Sequence, residues 1–358
     1  MYKDNNGNTP VLIEKYKNLL SIVLNRPKVL NSLNHEMVKS IKTAIDKAKE
    51  DNSIRAVLFY GAGTRGFCAG ADIKAMARNI REGNINKCLQ FLEAEYALDF
   101  EISRFPKPVI VLADGITMGG GLGLSAGADI VLATERTRTA MPETRIGFFP
   151  DVGATGWMYD KCLSGYPEFL GLTGYELAGA ECVRVGFATH LLNTQNLSLV
   201  PQLLKNLSTE LSLNKPKALD QIISLLDPLL NKDIPQNPEM DAWVKTYFEG
   251  KISIAQILED LRACSLFNDL CEGVSQRLLE RSPTALTITL QLLHLNKGRP
   301  LENVYKTDLK AASFILSHPD YIEGIRARLI DKDDQPKWQP ESIEKIGTID
   351  FLNSISFF

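Results

Sequence analysis

Residues 116–133, ITMGGGLGLSAGADIVLA, combine a run of glycines with one serine and are compatible with three kinds of chemistry. Residues 123–127 match GxSxG, the turn that exposes a nucleophilic serine, here Ser125, in serine hydrolases. Residues 121–126 match GxGxxA, a fingerprint of dinucleotide binding. A third interpretation is that glycines at the start of a helix let backbone amides approach and polarise a ligand carbonyl.

The serine and dinucleotide interpretations each lack a part that their chemistry needs. A serine nucleophile requires a strand leading directly into its turn, but the strand-like run at 107–115 ends well before Ser125, which we expect inside a helix. A second GxGxxG, at 61–66, has no acidic residue ending a strand about 20 residues later. The backbone-amide interpretation explains both glycine clusters, because junctions at 66–72 and 117–121 would each supply one N–H donor to an oxyanion.

The elements that position these junctions alternate between strands and helices, as the spacing of apolar residues indicates. The predicted order is two short strands within 10–27, a helix at 34–51 capped by Asn34, a strand at 54–63, a helix around 84–103, a strand at 107–115, a helix from about 120 and a strand at 130–135. This alternation predicts an α/β core, which we place in residues 1–205. Because strand-like runs are absent after about residue 193, residues 206–358 are predicted to form a helical region.

The composition favours a small-molecule partner. The 358 residues are 44% hydrophobic, and 40 basic against 43 acidic side chains give a net charge of −3. No block of like charge marks a nucleic-acid surface, and no apolar run approaches the roughly 20 residues of a membrane span. Six cysteines without a CxxC pair and four histidines give no zinc-ligand spacing, so we expect no metal and a reducing compartment.

Four motifs together carry a family resemblance. The segments LNRPKVLNSLN, GFCAGADIKAM, DGITMGGGLGLSAGADIVLATE and MPETRIGFFPDVGA, in this order and spacing, resemble the crotonase (enoyl-CoA hydratase/isomerase) superfamily. The C-terminal PDYIEGIRARLIDKDDQPKWQP is similar to the branch of that superfamily that hydrolyses acyl-CoA thioesters. The resemblance covers nearly the whole chain and implies an α/β fold, a crotonase spiral of ββα units with a helical C-terminal region.

The same resemblance implies an acyl-CoA partner and no metal or organic cofactor, since CoA is part of the substrate. Relatives of this kind include homo-oligomers, and we expect a cytoplasmic location in a bacterium or the mitochondrial matrix in a eukaryote. No clear targeting peptide precedes the first motif.

Carried over by position, the resemblance assigns the binding parts of a site. The two oxyanion-hole amides fall on Ala71 and Gly120, although hydrolases of the branch commonly have glycine at the first position. Lys28 would face the phosphates of CoA. Glu95 falls on a position that contacts substrate in the hydrolases. The residues alone also permit an ordinary role for Glu95, as a solvated helical residue.

The acid–base positions imply the reaction. Hydratases of the family use two glutamates, but this chain has Gly123 at the first position and Glu143 at the second, which disfavours water addition. Asp151 stands where the hydrolase branch carries aspartate. The resemblance therefore implies hydrolysis of a short branched β-hydroxyacyl-CoA thioester, with Glu143 as nucleophile or general base. The alternatives are an enoyl-CoA hydratase or isomerase, a non-catalytic acyl-CoA-binding protein, and capping roles for Glu143 and Asp151.

Overall fold

The computed structural model describes residues 9–347 together with Ile349 and Phe351. The chain divides into two compact units, each assembled from three segments of the sequence. Of the described residues, the first unit comprises 9–71, 94–139 and 177–236, and the second comprises 72–93, 140–176 and those from 237 onward. The division of the sequence into an α/β core at 1–205 and a helical region at 206–358 stays a prediction.

The strands are short, and most lie in the first half of the chain. They are β1 (Val11–Tyr16), β2 (Leu19–Leu24), β3 (Ala56–Gly61), β4 (Gly66–Cys68), β5 (Val109–Ala113), β6 (Ile116–Met118), β7 (Ile130–Thr134), β8 (Arg138–Ala140), β9 (Leu177–Ala178), β10 (His190–Leu192) and β11 (Leu230–Asn231). All the strands predicted from the apolar runs are present. The strands β4, β6, β8, β9, β10 and β11 were not predicted, because two or three residues are too short for an alternating pattern.

The helices follow the strands in the first half and dominate the second. They are α1 (His35–Glu50), α2 (Ile73–Arg81), α3 (Ile85–Ser103), α4 (Gly120–Ala126), α5 (Ala154–Lys161), α6 (Tyr166–Thr173), α7 (Ala180–Val185), α8 (Leu199–Leu207), α9 (Lys215–Leu226), α10 (Pro238–Phe248), α11 (Ile254–Arg262), α12 (Asn268–Leu279), α13 (Pro283–Asn296), α14 (Leu301–Leu316) and α15 (Pro319–Ile325). Asn34 caps α1 as predicted, since its side chain accepts a hydrogen bond from the Met37 N–H at 2.9 Å. No described helix is both long and apolar enough to cross a bilayer.

The strands form two sheets, and between β3 and β8 successive strands along the chain belong alternately to one sheet and the other. The larger sheet has the order β1-β2-β3-β5-β7-β10-β11, and the smaller has the order β4-β6-β8-β9. Neighbouring strands from β2 to β10 in the larger sheet are parallel, while β1 and β11 are antiparallel edges. Each repeat consists of a strand in the larger sheet, a strand in the smaller sheet and a helix. The repeats β3-β4-α2 and β5-β6-α4 have this order, which confirms the predicted ββα units.

A continuous apolar layer stabilises the first unit. Leu58, Ile110 and Leu132 on adjacent parallel strands are fully or almost fully buried, and Leu204 and Ile222 of α8 and α9 belong to the same cluster. Removing such side chains from water is the main term that stabilises a sheet covered by helices.

The second unit is helical, as predicted for the C-terminal part of the chain. Its core includes Phe169, whose ring meets those of Trp243 at 5.8 Å and Phe248 at 5.1 Å. Between α11 and α12 the chain turns back and pairs Cys264 with Cys271 in a disulfide. The sequence spacing did not indicate this pair, because the two cysteines are seven residues apart and their proximity depends on the turn that leads into α12.

Candidate active site

Two segments of the first unit meet at the glycine-rich junctions predicted from the sequence. One follows β4 and contains Gly70 and Ala71, while the other follows β6 and leads through Gly119 to Gly120. A Cβ atom built on Gly70 would lie 3.1 Å from the backbone nitrogen of Gly120, so the segments are in contact. Gly70 also has a φ of +89°, which favours glycine. The backbones of Ala71 and Gly120 are therefore neighbours.

The N–H of Gly120 belongs to the first turn of α4. The first hydrogen bonds into this helix run from the N–H groups of Leu122 and Gly123 to the carbonyl of Gly119, at 2.8 and 3.1 Å. Amides that precede the first intrahelical donors have no partner within the helix ladder. Such an amide suits the binding of a carbonyl oxygen that becomes an oxyanion.

Glu95 lies directly against Gly120. It stands on α3 and is 1% exposed, which excludes the alternative interpretation of a solvated helical residue. A Cβ atom added to Gly120 would collide with Glu95 Oε1, so a larger residue at this position would have to displace the Glu95 carboxyl group. Burial, followed by the charges of Glu95 and Asp99, raises the pKa of the Cys68 thiol to about 12. Cys68 therefore stays a neutral thiol beside this carboxylate.

Lys28 lies elsewhere in the first unit, on the 3₁₀ turn Pro27–Val29. It is exposed and lines a cavity of about 320 Å³ together with Arg65. The Arg65 guanidinium donates hydrogen bonds to the carbonyls of Pro27 and Lys28 at 2.8 and 3.1 Å. Asn31 donates to the carbonyl of Gly66 at 3.0 Å and fastens the same segment. Two cationic side chains thus stand beside one cavity on an anchored loop.

Glu143 opens the 3₁₀ turn Glu143–Ile146 in the second unit and is 9% exposed. The turn is held from several sides. The Thr144 hydroxyl donates to the Leu172 carbonyl at 3.0 Å, and the Phe148 N–H donates to the Glu143 carbonyl at 3.0 Å. The Phe148 ring lies 5.1 Å from that of Tyr321, so the turn is bordered by aromatic carbon. The carboxyl group of Glu143 is consequently held on a rigid and largely dry support.

Asp151 follows on the same segment and is 7% exposed. The sequence leaves open that Asp151 caps the next helix. In the structure α5 begins at Ala154 and its N-cap is Gly153, without a side-chain capping bond. Asp151 instead begins the turn before the helix, since its carbonyl accepts the Ala154 N–H at 2.9 Å. Its carboxyl group is therefore not engaged as the cap of α5.

Asp308 is a buried acid of this unit that the sequence analysis did not single out. Asp308 on α14 is 0% exposed, and its Oδ2 accepts the Gly153 N–H at 2.8 Å. Burial and the charge of Asp151 raise its pKa well above the usual aspartate value. A signal was present, because Asp308 falls in register with the buried positions Val304 and Ala312 of the same helix. A charged residue on an apolar helix stripe marks a specific interaction.

The structure removes the two rival interpretations of the glycine motifs. Ser125 is 1% exposed within α4, where its hydroxyl donates to the Leu122 carbonyl at 3.1 Å, so it is not on a nucleophile turn. The GxGxxG at 61–66 joins two strands and opens no helix, unlike a dinucleotide-binding turn. Among the described residues, no group of three His, Cys, Asp or Glu side chains has the arrangement of a metal site.

Comparisons with known proteins agree with this architecture. A family model described as Enoyl-CoA hydratase/isomerase matches residues 19–353. The mitochondrial 3-hydroxyisobutyryl-CoA hydrolase of Xenopus laevis is 35% identical over 93% of this chain and 85% of its own length. The small ribosomal subunit protein mS47 of Neurospora crassa is 33% identical over 97% of this chain and 71% of its own length.

A solved structure gives the same result for the fold. The structure described as a carnitinyl-CoA dehydratase from Mycobacterium thermoresistibile is 30% identical, has a TM-score of 0.85 and covers 96% of each chain. The overall fold is thus shared over nearly the whole chain. The protein belongs to the enoyl-CoA hydratase/isomerase family, the crotonase superfamily that its motifs resemble.

Proposed function

We propose that this protein hydrolyses 3-hydroxyisobutyryl-CoA, a short branched β-hydroxyacyl-CoA thioester, to 3-hydroxyisobutyrate and free CoA. Relatives named as 3-hydroxyisobutyryl-CoA hydrolases match nearly the full chain, which supports this substrate. The observation that carries the proposal is that both hydrolytic positions hold buried carboxylates, Glu143 and Asp151, whereas the hydratase position holds Gly123. A glycine supplies no second acid–base group for adding water to a double bond.

The backbone amides of Ala71 and Gly120 are assigned to the thioester oxygen. Their contact through Gly70 supports a pair of donors aimed at one carbonyl. Charge builds on this oxygen when the carbonyl carbon is attacked, and one such donor contributes about 3 kcal/mol to transition-state stabilisation. The carboxylate of Glu95, beside Gly120, is assigned to the substrate, and its burial supports a polar contact rather than a solvent role.

Glu143 is assigned to the reacting carbon. In one form of the step, its carboxylate attacks the carbonyl, the C–S bond breaks, CoA leaves as the thiolate, and water then cleaves the mixed anhydride. In the other form, Glu143 takes a proton from a water that attacks the carbonyl directly. Asp151 orients the substrate hydroxyl or the water. Both forms yield the same acid and thiol. CoA enters as part of the substrate and is released as a product, and no other cofactor is needed.

The test is release of free thiol from 3-hydroxyisobutyryl-CoA, measured beside loss of the enoyl absorbance of crotonyl-CoA. Thiol release with crotonyl-CoA unchanged supports the hydrolase. Enoyl loss without thiol would establish a hydratase, and binding of CoA without either reaction would establish a non-catalytic relative.

Variants of the two assigned carboxylates, each with a matched control, test the roles of Glu143 and Asp151 in the same assay. Glu143→Gln and Asp151→Asn are expected to lower kcat about 10²- to 10⁴-fold while leaving the affinity for CoA nearly unchanged. The exposed acids Glu272 and Asp160 provide the controls Glu272→Gln and Asp160→Asn, which should keep wild-type kcat. Unchanged turnover in Glu143→Gln would remove Glu143 from its assigned role.

The proposal also concerns the compartment in which the protein acts. The hydrolase relatives are named as mitochondrial proteins, which agrees with the matrix expectation for a eukaryotic source. The cytoplasmic expectation for a bacterial source and the formation of homo-oligomers stay predictions.

A further inference from the structure

The peptide unit between Val152 and Gly153, immediately after Asp151, is held on both of its polar sides. The Trp157 indole N–H donates to the Val152 carbonyl at 3.1 Å. The Gly153 N–H donates to Asp308 Oδ2 at 2.8 Å. One peptide plane is thus fixed by two side chains, one from the following helix and one from α14, which is far away in sequence.

This peptide unit needs such support because its backbone is strained. Val152 has a φ of +52° and Gly153 a φ of +74°, so two consecutive residues adopt the left-handed conformation. Glycine tolerates this conformation, but for a β-branched residue it is a true outlier. Residues of this kind persist only where the surrounding structure imposes them, and they concentrate at functional sites.

Helix α14 is shaped to deliver Asp308 to this turn. A Cβ atom built on Gly153 would lie 2.9 Å from the Leu301 side chain and 3.1 Å from the Tyr305 ring, and one built on Gly156 would lie 2.6 Å from Val304. The helix therefore packs directly on the backbone of the turn.

The surroundings of Asp308 suit a side chain whose role is to accept the hydrogen bond from the Gly153 N–H. The side chain is fully buried, and within the described part of the chain its Oδ1 has no hydrogen-bond partner. The hydrogen bond from the Gly153 N–H therefore offsets part of the cost of burying this acid among apolar groups. A buried acid with a single backbone partner is costly to maintain, which indicates that it serves the turn it contacts.

We propose that Asp308 is a positioning residue for Asp151. By accepting the Gly153 N–H, it holds the Val152–Gly153 peptide in its left-handed conformation and so fixes the direction in which the Asp151 carboxyl group leaves the chain. The inference rests on the proposed function, in which Asp151 orients the substrate hydroxyl or the water. The hydrogen bond between Asp308 and the turn also has a readout that does not depend on activity.

The first test compares three variants on α14. Asp308→Ala removes the acceptor, and Asp308→Asn keeps an oxygen of the same shape for the Gly153 N–H. Thr307→Val is the matched control, since the Thr307 hydroxyl is buried and bonds to Asn296 at 2.9 Å instead of to the turn. For thiol release from 3-hydroxyisobutyryl-CoA, Asp308→Ala is expected to lower kcat about 10- to 100-fold with KM within about threefold, because misplacing a reacting group costs this much. Asp308→Asn and Thr307→Val should keep kcat within about threefold.

Two outcomes of these kinetics would overturn the proposal. One is an Asp308→Ala enzyme that is folded and retains wild-type kcat. The other is an Asp308→Asn enzyme as slow as Asp308→Ala, because the acceptor would then not be the relevant property.

Amide hydrogen exchange of residues 151–154 gives a readout that needs no activity. Loss of the acceptor should speed exchange of this segment at least about tenfold in Asp308→Ala, with wild-type rates in Asp308→Asn and Thr307→Val. Unchanged protection in Asp308→Ala contradicts the proposal even if catalysis is affected. If the wild type releases no thiol, the proposed function fails, and the exchange rates still decide whether Asp308 holds the turn.

Discussion

The carboxyl group of Glu95 lies so close to Gly120 that a Cβ atom built at position 120 would collide with Glu95 Oε1. The contact joins a buried acid on α3 to the first residue of α4, the residue whose N–H is assigned to the thioester oxygen. A small change on either side of this contact is therefore expected to act on the reaction as well as on stability.

Gly120→Ala is expected to lower kcat for thiol release more than about 100-fold. The added methyl group collides with Glu95 and displaces either the carboxylate or the start of α4, and an oxyanion donor moved out of place loses most of its effect. The control is Gly273→Ala on α12, where no atom lies within 4 Å of the new methyl group. This control should keep kcat and gain up to about 1 kcal/mol of stability. Wild-type kcat in Gly120→Ala would refute the assigned donor.

Glu95→Gln is expected to lower kcat/KM at least about tenfold, because Glu95 is assigned to a polar contact with the substrate and an amide does not replace a charge-assisted hydrogen bond from a buried carboxylate. Glu93→Gln is the matched control, since Glu93 lies on the same helix but is exposed. Steady-state kinetics at several substrate concentrations separate the two variants. Equal kinetics for both would mean that Glu95 has a structural role only.

Lys28→Ala is expected to raise KM for the acyl-CoA about fivefold with little change in kcat, because an exposed cation contributes about 1 kcal/mol to binding a phosphate. The effect should shrink as salt rises and vanish for a thioester of N-acetylcysteamine, which lacks the nucleotide. Lys39→Ala, an exposed lysine on α1, is the control. A KM effect that persists with the truncated thioester would contradict a phosphate contact.

Asp308→Asn is expected to stabilise the protein increasingly as the pH rises from about 4.5 to 7.5. Burial and the facing charge of Asp151 raise the pKa of Asp308, so the folded state retains a proton that the unfolded state loses above its ordinary pKa. The unfolded state then binds fewer protons, and wild-type stability falls with pH by up to about 1.4 kcal/mol per unit until the folded group also ionises. Urea unfolding of both proteins at several pH values measures the difference. A difference independent of pH would show that Asp308 is ionised in the folded state.

Trp157→Phe is expected to lower kcat about three- to tenfold. Phenylalanine keeps the aromatic ring but removes the N–H that binds the Val152 carbonyl, and the Gly153–Asp308 bond still supports the same peptide from its other side. Combined with Asp308→Ala, the loss should exceed the product of the two separate losses, since both act on one peptide. Strictly multiplicative effects would indicate two independent sites.

The amino-acid sequence is sufficient to predict the order of the longer elements and the chemistry available at most of the assigned positions. Apolar runs and helical spacing are local signals, and they predicted the longer strands, the capped helix α1 and the helical C-terminal region. The glycine junctions were also recognisable, because a close backbone approach leaves glycine as the one residue without a side chain to displace. The family resemblance then assigned Glu143, Asp151 and Gly123 from their positions in the motifs.

Tertiary structure alone decided which distant residues meet. The contact of Glu95 with Gly120 depends on how α3 packs against the first turn of α4, and a helical pattern does not specify its neighbour. The bond from Gly153 to Asp308 joins positions 155 residues apart. Nothing in the local sequence of either residue encodes it, because a buried hydrogen bond is specified by the packing of whole helices. For the same reason the pairing of Cys264 with Cys271 and the strained turn after Asp151 became visible only in the folded chain.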